Sequence, residues 1–322
     1  MYDAGKMSTR RSLLLSAGAA LAPGARASGA VSPAEFRRRL EGPICSAPTV
    51  YNADFSLDLA SFRRVVECGV KAGCSAFTLT SGNNQYDRLS YDEIKGLTRT
   101  LVEAVAGRGL TIGATGPWWT GQAVDYARYA AGVGVDAVQV QLPPQGSTAS
   151  LVEHFRQAAR AAGRAIVLHG QIPAPLMRKL VEMDEISAYK EEYPPMYSRE
   201  IFEEFGGRLN IFAGGQKGNF LTYRPFGMKA YYSTFSTFAP AVAREFWTAV
   251  RNNDMAAAGK IVLRYDVPFF RGTPVGAWTH AYWRGTLEAH GLAKRFLRPP
   301  EESLTDAHIA GIREFQRKLG LL

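Results

Sequence analysis

From residue 44 onward, the chain alternates between short apolar runs and longer amphipathic segments. The apolar runs are rich in Val, Ile, Leu and Ala, a composition typical of buried parallel strands. In longer segments such as Leu57–Ala72 and Tyr91–Gly107, apolar residues recur at intervals of three and four, which predicts amphipathic helices. The pattern therefore predicts strands and helices in regular alternation.

Eight candidate strands follow from this alternation, and a helical segment separates each strand from the next. They are Ile44–Val50, Ser75–Ser81, Leu110–Thr115, Asp136–Leu142, Arg164–His169, Glu185–Lys190, Leu209–Gly214 and Met228–Thr234. Eight strand–helix repeats match a (β/α)8 TIM barrel in number and order. A doubly wound open sheet is the alternative, but no G-x-G-x-x-G follows the first strand, which argues against its dinucleotide-binding form.

The alternation stops after residue 253. Asp254–Tyr265, Thr273–Glu288 and Thr305–Leu319 have helical periodicity with no strand between them, and Pro299-Pro300 interrupts the last connection. We therefore predict an α/β fold in which residues 31–253 form the barrel. Residues 254–322 are expected to form a C-terminal helical extension packed on it.

Residues 1–30 have the features of an export signal. Arg10-Arg11 precede three leucines and an Ala/Gly-rich run, and Ala25-Arg26-Ala27 matches an A-x-A cleavage pattern. Paired arginines before leucines are typical of a twin-arginine signal, and the apolar run is too short for a membrane helix. We expect export to a bacterial periplasm, with no membrane attachment afterwards. A disordered basic tail on a cytoplasmic protein is the alternative.

The formal net charge of +9 does not by itself indicate a nucleic-acid partner. Part of the charge lies in the N-terminal segment, and the other cations alternate with acids along the helices, as in Arg63-Arg64 before Glu67. Phosphate binding needs clustered cations, so we expect no nucleic-acid partner.

The strand ends give the candidate chemistry, because the reacting groups of a TIM barrel stand at the C-terminal ends of its strands. From the second to the seventh strand these positions are Asn83, Thr115, Pro143-Pro144, His169, Lys190 and Gly214-Gly215. Lys190 is the only lysine among them. An amine at a barrel mouth can add to a ketone, and the resulting iminium is an electron sink. The alternative is a lysine in solvent beside Glu191-Glu192.

Four short motifs occur along the chain in the order in which one known enzyme family has them. They are Ala47-Pro48-Thr49, Leu142-Pro143-Pro144, Ala188-Tyr189-Lys190-Glu191 and Leu297-Arg298-Pro299-Pro300. Through them the chain resembles, from about Gly42 to Leu322, the dihydrodipicolinate synthase / N-acetylneuraminate lyase family of class I aldolases, whose G-I-K-E motif coincides with the third. The resemblance implies that Lys190 forms a Schiff base with a small 2-oxo acid, without a cofactor. It also implies a homo-oligomer similar to a dimer of dimers.

The chain departs from the family pattern around the expected substrate. The family's carboxylate-binding G-T-T-G-E loop reads Ser81-Gly82-Asn83-Asn84-Gln85. We expect Ser81, Gly82 and Asn83 to contact the substrate carboxylate, and Thr115, Gly214 and Gly215 to complete the substrate site.

Three further family positions are also replaced. His169-Gly170 stands for the family's Y-N, Gln145 for a tyrosine that reaches a neighbouring subunit, and no arginine follows in 171–175. Histidine can transfer protons near neutral pH, although a role limited to hydrogen bonding is the alternative. True dihydrodipicolinate synthase activity is therefore not expected.

Several aromatic and polar residues near strand ends have two interpretations each. Trp118-Trp119 could form a sugar-stacking wall or pack beneath a loop. Whichever of Tyr231 and Tyr232 faces inward could supply a phenol or could simply fill the core. Gln216 and Lys217 could bind an anion or belong to a solvated loop.

Three hypotheses about function follow. The first is a Schiff-base lyase that uses Lys190 and His169. The second is a metal-dependent aldolase or isomerase, which is disfavoured because His169 is the only histidine at a strand end. The third is a degenerate barrel that binds a small carboxylic acid without turnover.

Overall fold

The structure is a computed structural model that describes residues 31–214, 216–271, 274–276 and 279–322. Within these ranges the chain forms eight parallel strands. They are β1 (Gly42–Ser46), β2 (Ala76–Thr78), β3 (Leu110–Ala114), β4 (Ala137–Gln141), β5 (Ala165–His169), β6 (Ile186–Glu191), β7 (Asn210–Ala213) and β8 (Ala230–Tyr232). Their hydrogen-bonded order is β7-β6-β5-β4-β3-β2-β1-β8. The rings of Phe212 in β7 and Tyr232 in β8 lie 5.6 Å apart, so the two ends meet in a nearly closed barrel. The predicted TIM barrel is confirmed.

Helices cover the outside of the barrel. They are α1 (Pro33–Arg39), α2 (Leu59–Lys71), α3 (Tyr91–Val105), α4 (Thr120–Gly132), α5 (Thr148–Ala162), α6 (Ala174–Leu180), α7 (Pro195–Phe205), α8 (Lys217–Tyr223) and α9 (Pro240–Arg251). Local sequence explains several of their ends. The Asp58 side chain caps α2, Ser90 and Glu93 form a capping box at α3, and Gly163 ends α5 with a positive φ of 54°.

The C-terminal segment is helical, as predicted. It contains α10 (Met255–Ile261), a π-helical turn (Val262–Asp266), α11 (Val267–Arg271), α12 (His280–Ala289) and α13 (Asp306–Lys318). The helix predicted from Thr273 begins only at His280, after a turn at Pro274 and Val275. No helix among the described residues has both the length and the apolar character needed to cross a membrane.

Most strands are shorter than the apolar runs that predicted them. In β2 the ladder ends at Thr78, and the Thr80 N–H donates to Asn84 Oδ1 at 2.8 Å. In β8 the strand ends at Tyr232, and a 3₁₀ turn (Thr234–Thr237) follows. The residues that follow Thr78 and Tyr232 therefore belong to loops at the mouth of the barrel.

The pairing of β5 with β6 contains a register shift that positions the strand ends. Ile166 lies opposite Ile186, but Val167 lies opposite Ala188, so β6 contains one additional residue, Ser187. Beyond this bulge His169 lies directly opposite Lys190.

Candidate active site

Lys190 is buried at the C-terminal end of β6, with 9% of its surface exposed. Side chains alternate along a strand, so Lys190 and Glu192 project to the same side. Tyr189 projects to the other side, where its hydroxyl donates to the Gly170 carbonyl at 2.7 Å. Lys190 is thus enclosed by the protein rather than extended into solvent.

Lys190, His169 and Glu192 form one contact group. Lys190 Nζ lies 2.9 Å from His169 Nε2 and also contacts Glu192 Oε1. The same Glu192 oxygen is 3.1 Å from His169 Nε2. An amine, an imidazole and a carboxylate therefore meet at one point, where a proton can move among them.

A hydrogen-bond chain behind His169 determines its tautomer. Tyr232 Oη donates to Gln139 Oε1 at 2.9 Å, and Gln139 Nε2 lies 3.3 Å from His169 Nδ1. Gln139 Nε2 can only donate, so Nδ1 accepts and the ring proton resides on Nε2. Burial lowers the pKa of His169, which keeps the ring neutral near pH 7. The Nε2 proton consequently points toward Lys190 and Glu192.

Glu192 is ionised in this arrangement. Burial alone would raise its pKa, but the hydrogen bond with His169 and the charge of Lys190 together lower it to about 2. Burial raises the pKa of Tyr232, so its phenol keeps its proton. The group therefore contains one fixed negative charge beside the amine.

A cavity of about 320 Å³ opens beside Lys190. It is lined by residues from several βα loops and from the C-terminal helices: Ser46, Asn83, Lys190, Glu192, Gly214, Gln216, Asn219, Tyr232, Ser233, Thr234, Phe270 and Trp283. Of these described lining residues, only Lys190 and Glu192 carry a charge. The remaining wall consists mainly of hydroxyl and amide groups with two apolar aromatic rings.

The residues predicted to bind substrate lie at different depths. Asn83 and Gly214 line the cavity, and Asn83 Nδ2 donates to Ser46 Oγ at 2.9 Å. Gly82 lies in the same turn as Asn83, and its carbonyl accepts from the Gln85 N–H at 2.9 Å. Gly215 lies outside the described residues.

Ser81 and Thr115 both contact Gln141. Ser81 Oγ bonds to Gln141 Oε1, and Thr115 Oγ1 accepts from the Gln141 N–H at 3.0 Å. In this structure both hydroxyls therefore support the end of β4, and neither belongs to the described cavity wall.

The two tryptophans after β3 lie apart from the described cavity wall. Trp118 packs beneath a loop, where it stacks on Tyr86 with ring centroids 5.9 Å apart and meets Tyr126 edge-on. Trp119 is 73% exposed.

Lys217 is buried rather than part of a solvated loop. Its Nζ contacts Asp266 Oδ1 and lies 3.7 Å from the centre of the Phe235 ring. Its backbone N–H donates to Asp266 Oδ2 at 3.1 Å. The pair therefore joins the start of α8 to the π-helical turn of the C-terminal segment.

Sequence reasoning missed several residues of the site. Glu192 could have been found, because it lies two residues after Lys190 on the same side of the chain. Ser46 ends β1, also at the mouth. No local pattern pointed to Trp283 of α12, which lines the cavity and whose Nε1–H donates to Thr237 Oγ1 at 3.0 Å. Across the described ranges, no three His, Cys, Asp or Glu side chains form a group that could hold a metal ion.

The sequence model of the Dihydrodipicolinate synthetase family matches residues 39–276. The chain belongs to this family. As a family member the protein is a lyase that acts on carbon–carbon or carbon–oxygen bonds. The resemblance inferred from the four motifs is thereby confirmed, and the match spans all eight strands.

Two similar proteins carry the names of two different enzymes, a dehydratase and a synthase. A probable 5-dehydro-4-deoxyglucarate dehydratase of Streptomyces coelicolor is 26% identical over 83% of this chain and 89% of its own length. A 4-hydroxy-tetrahydrodipicolinate synthase of Halorhodospira halophila is 27% identical over 83% of this chain and 91% of its own.

Solved structures of family members share the fold. Dihydrodipicolinate synthase of Bacillus clausii superposes with a TM-score of 0.78 at 20% identity, over 88% of this chain and 99% of that structure. N-acetylneuraminate lyase of Fusobacterium nucleatum superposes with a TM-score of 0.77 at 15% identity, over 87% of this chain and 99% of that structure.

Proposed function

We propose that this lyase works through a Schiff base between Lys190 and the ketone of a 2-oxo acid. One observation carries the proposal: the Lys190 amine lines the cavity and contacts both His169 Nε2 and Glu192 Oε1. A nucleophilic amine with proton-transfer partners in hydrogen-bond reach is what imine formation requires.

The three side chains can divide the steps among them. Glu192 first accepts a proton from the Lys190 ammonium, and the freed nitrogen attacks the carbonyl carbon. His169 gives its Nε2 proton to the carbonyl oxygen and regains one at the same atom from the attacking nitrogen. Glu192 then returns its proton to the new hydroxyl, which leaves as water, so that an iminium and an ionised Glu192 remain. The bond that breaks beside the iminium, C–H or C–C, delivers its electron pair to that nitrogen. The ionised Glu192 offsets the positive charge of the iminium.

The cavity wall supports a substrate with one acidic end. Asn83 and Ser46 offer amide and hydroxyl donors for the carboxylate. Gln216, Asn219 and Thr234 add uncharged hydrogen-bonding groups to the cavity wall. We therefore propose a 2-oxo acid whose remaining part is uncharged and hydroxylated, rather than a dicarboxylic acid.

A barrel that binds a 2-oxo acid without turnover is the second candidate. The contact between Glu192 and Lys190 favours it, because a carboxylate stabilises the ammonium form, which is not nucleophilic. This candidate predicts binding without a covalent adduct.

Borohydride trapping distinguishes the two candidates. The protein is incubated with pyruvate and with a panel of 2-oxo sugar acids, reduced, and analysed by intact mass and peptide mapping. We expect an adduct on Lys190 that disappears in Lys190→Ala and persists in Lys179→Ala, a control at an exposed lysine. Ligand-induced stabilisation without an adduct would instead support the binding-only barrel.

Export and assembly remain proposals with tests of their own. Cell fractionation with intact mass of the mature chain tests whether residues 1–30 direct export and are removed. Sedimentation analysis tests the proposed dimer of dimers.

A further inference from the structure

Arg284 lies in α12 with none of its surface exposed. Its Nε–H donates to the Thr49 carbonyl at 3.0 Å, and its Nη2 donates to the Asn83 carbonyl at 2.9 Å and to Gln85 Oε1 at 3.3 Å. The guanidinium thus fastens the β1 loop to the loop that contains Asn83.

The charge of Arg284 has no bonded carboxylate among the described residues. All three of its hydrogen-bond partners are neutral, the Trp283 ring 5.6 Å from its Cζ carries no charge either, and Nη1 has no hydrogen-bond partner within the described ranges. Burial lowers the pKa of Arg284 to about 10, which still leaves the group charged near neutral pH. A buried charge is normally paired, so an unpaired one needs an explanation.

The acidic and phenolic groups that act on Arg284 do not neutralise it. The Glu301 carboxylate is shared between Arg88 Nη2 at 3.6 Å and His280 Nδ1 at 3.3 Å. Burial raises the pKa of Tyr51, so this side chain stays a neutral phenol.

One residue separates this charge from the active-site cavity. Asn83 accepts from Arg284 through its carbonyl, while its side chain lines the cavity and donates to Ser46. Trp283, the neighbour of Arg284, also lines the cavity. Because a charge in a poorly solvated region is little screened, the charge of Arg284 can act across Asn83 on a ligand in the cavity.

We propose that Arg284 is a positioning and specificity-determining residue whose unneutralised charge selects the carboxylate of the substrate. It holds the loop of Asn83 and gives that end of the cavity a positive potential without entering the cavity. The fifth position of the loop, glutamate in the family's G-T-T-G-E pattern, is the neutral Gln85 here, which leaves the charge available. The proposal rests on the proposed function, because it assumes a 2-oxo acid at Lys190.

Gln85→Glu tests the proposal with almost no change in shape. One carboxylate oxygen keeps the contact with Arg284 Nη2, and the other replaces an amide nitrogen that has no partner among the described residues. The new ion pair would cancel the charge. We expect half-saturation of borohydride trapping to require about five- to tenfold more pyruvate. Trapping of neutral pyruvamide and the melting temperature should be little changed.

Gln85→Met is the matched control, since it removes the contact with Arg284 without adding a charge. It should bind pyruvate nearly as well as the wild type. Arg284→Met is a poorer test, because loss of three hydrogen bonds can unfold the loop.

Two results would overturn the inference. Equal weakening of pyruvate and pyruvamide in Gln85→Glu would mean that Arg284 acts only through loop structure. Unchanged pyruvate trapping in Gln85→Glu would mean that its charge does not reach the substrate. Both require a wild type that traps pyruvate; a wild type that neither traps nor binds pyruvate in calorimetry would overturn the proposed function and this inference together.

Discussion

Two lysines near the mouth of this barrel are buried, Lys190 in β6 and Lys217 at the start of α8, and each contacts a carboxylate. Lys190 lines a cavity, and the side chain of its partner Glu192 is 37% exposed. Lys217 is enclosed on every side that the structure describes, and the side chain of its partner Asp266 is only 4% exposed. Burial and an ion pair therefore do not distinguish a reactive amine from a structural one. The difference lies in access to a cavity and in a neighbour, His169, that can transfer a proton.

The largest expected difference between Lys190 and Lys217 is in covalent labelling. Reductive trapping with a 2-oxo acid should label Lys190 and leave Lys217 unlabelled, because a ligand can reach only the former. Lys190→Met should abolish the adduct, whereas the double variant Lys217→Met/Asp266→Leu should keep it. Peptide mapping after reduction measures both, and an adduct on Lys217 would remove the basis of the comparison.

The second difference concerns proton transfer. His169→Phe should lower kcat by about 10²–10⁴-fold, the usual contribution of a general acid–base group, while pyruvate still binds. His169→Tyr, which restores the family's residue, should recover part of the loss. Steady-state kinetics with the best-trapped substrate provides the measurement. A His169→Phe enzyme with wild-type kcat would leave the imidazole with only a hydrogen-bonding role.

The third difference concerns stability. Asp266→Ala leaves the Lys217 ammonium buried without a partner and should reduce the free energy of unfolding by about 3–5 kcal/mol. The double variant Lys217→Met/Asp266→Leu should recover most of this loss, since apolar residues can fill the same space. Urea unfolding of the three proteins gives the values. A double variant as unstable as Asp266→Ala would mean that the ion pair has no apolar substitute.

A smaller effect should follow from the hydrogen-bond chain behind His169. Tyr232→Phe removes the donor to Gln139, so the amide can rotate and His169 loses its fixed tautomer. We expect kcat to fall several-fold, with little change in melting temperature. An unchanged kcat would show that Gln139 orients His169 without the phenol.

The smallest expected effect is on how the stability of the folded state depends on pH. The pKa of Glu192 is lowered from about 4.3 in an unfolded chain to about 2, so its ionisation stabilises the folded state at pH 7. This contribution is lost as the pH falls from about 4.5 toward 2. Glu192→Gln should therefore be less stable than the wild type at pH 7, and the gap should narrow at pH 3. Chemical denaturation at both pH values checks the trend; a constant gap would contradict it.

The barrel and the position of its amine could be predicted because both depend on local patterns. Buried strands produce apolar runs, and the end of the sixth run is Lys190. The outer wall of the cavity could not be predicted in the same way. Trp283 and Phe270 reach it from helices that follow the barrel, and no periodicity indicates which turn of those helices faces the mouth.

Lys217 illustrates the same limit. A lysine that follows two glycines looks like part of a solvated loop. Its burial depends on Asp266, which lies 49 residues further along the chain. Such a pairing is specified by the folded topology rather than by neighbouring residues.

The π-helical turn determines which side chains of the following helix α11 face the cavity. The Val267 N–H bonds to the Val262 carbonyl five residues earlier, so the turn contains one residue more than an α-helix would use. If the same residues closed into α-helical hydrogen bonds, the extra residue would rotate everything beyond it by about 100°. Phe270 would then leave the cavity wall. The bulge in Val262–Asp266 therefore sets the rotation of the helix that carries Phe270, and a substitution that removed the bulge without removing a residue should change the shape of the substrate site.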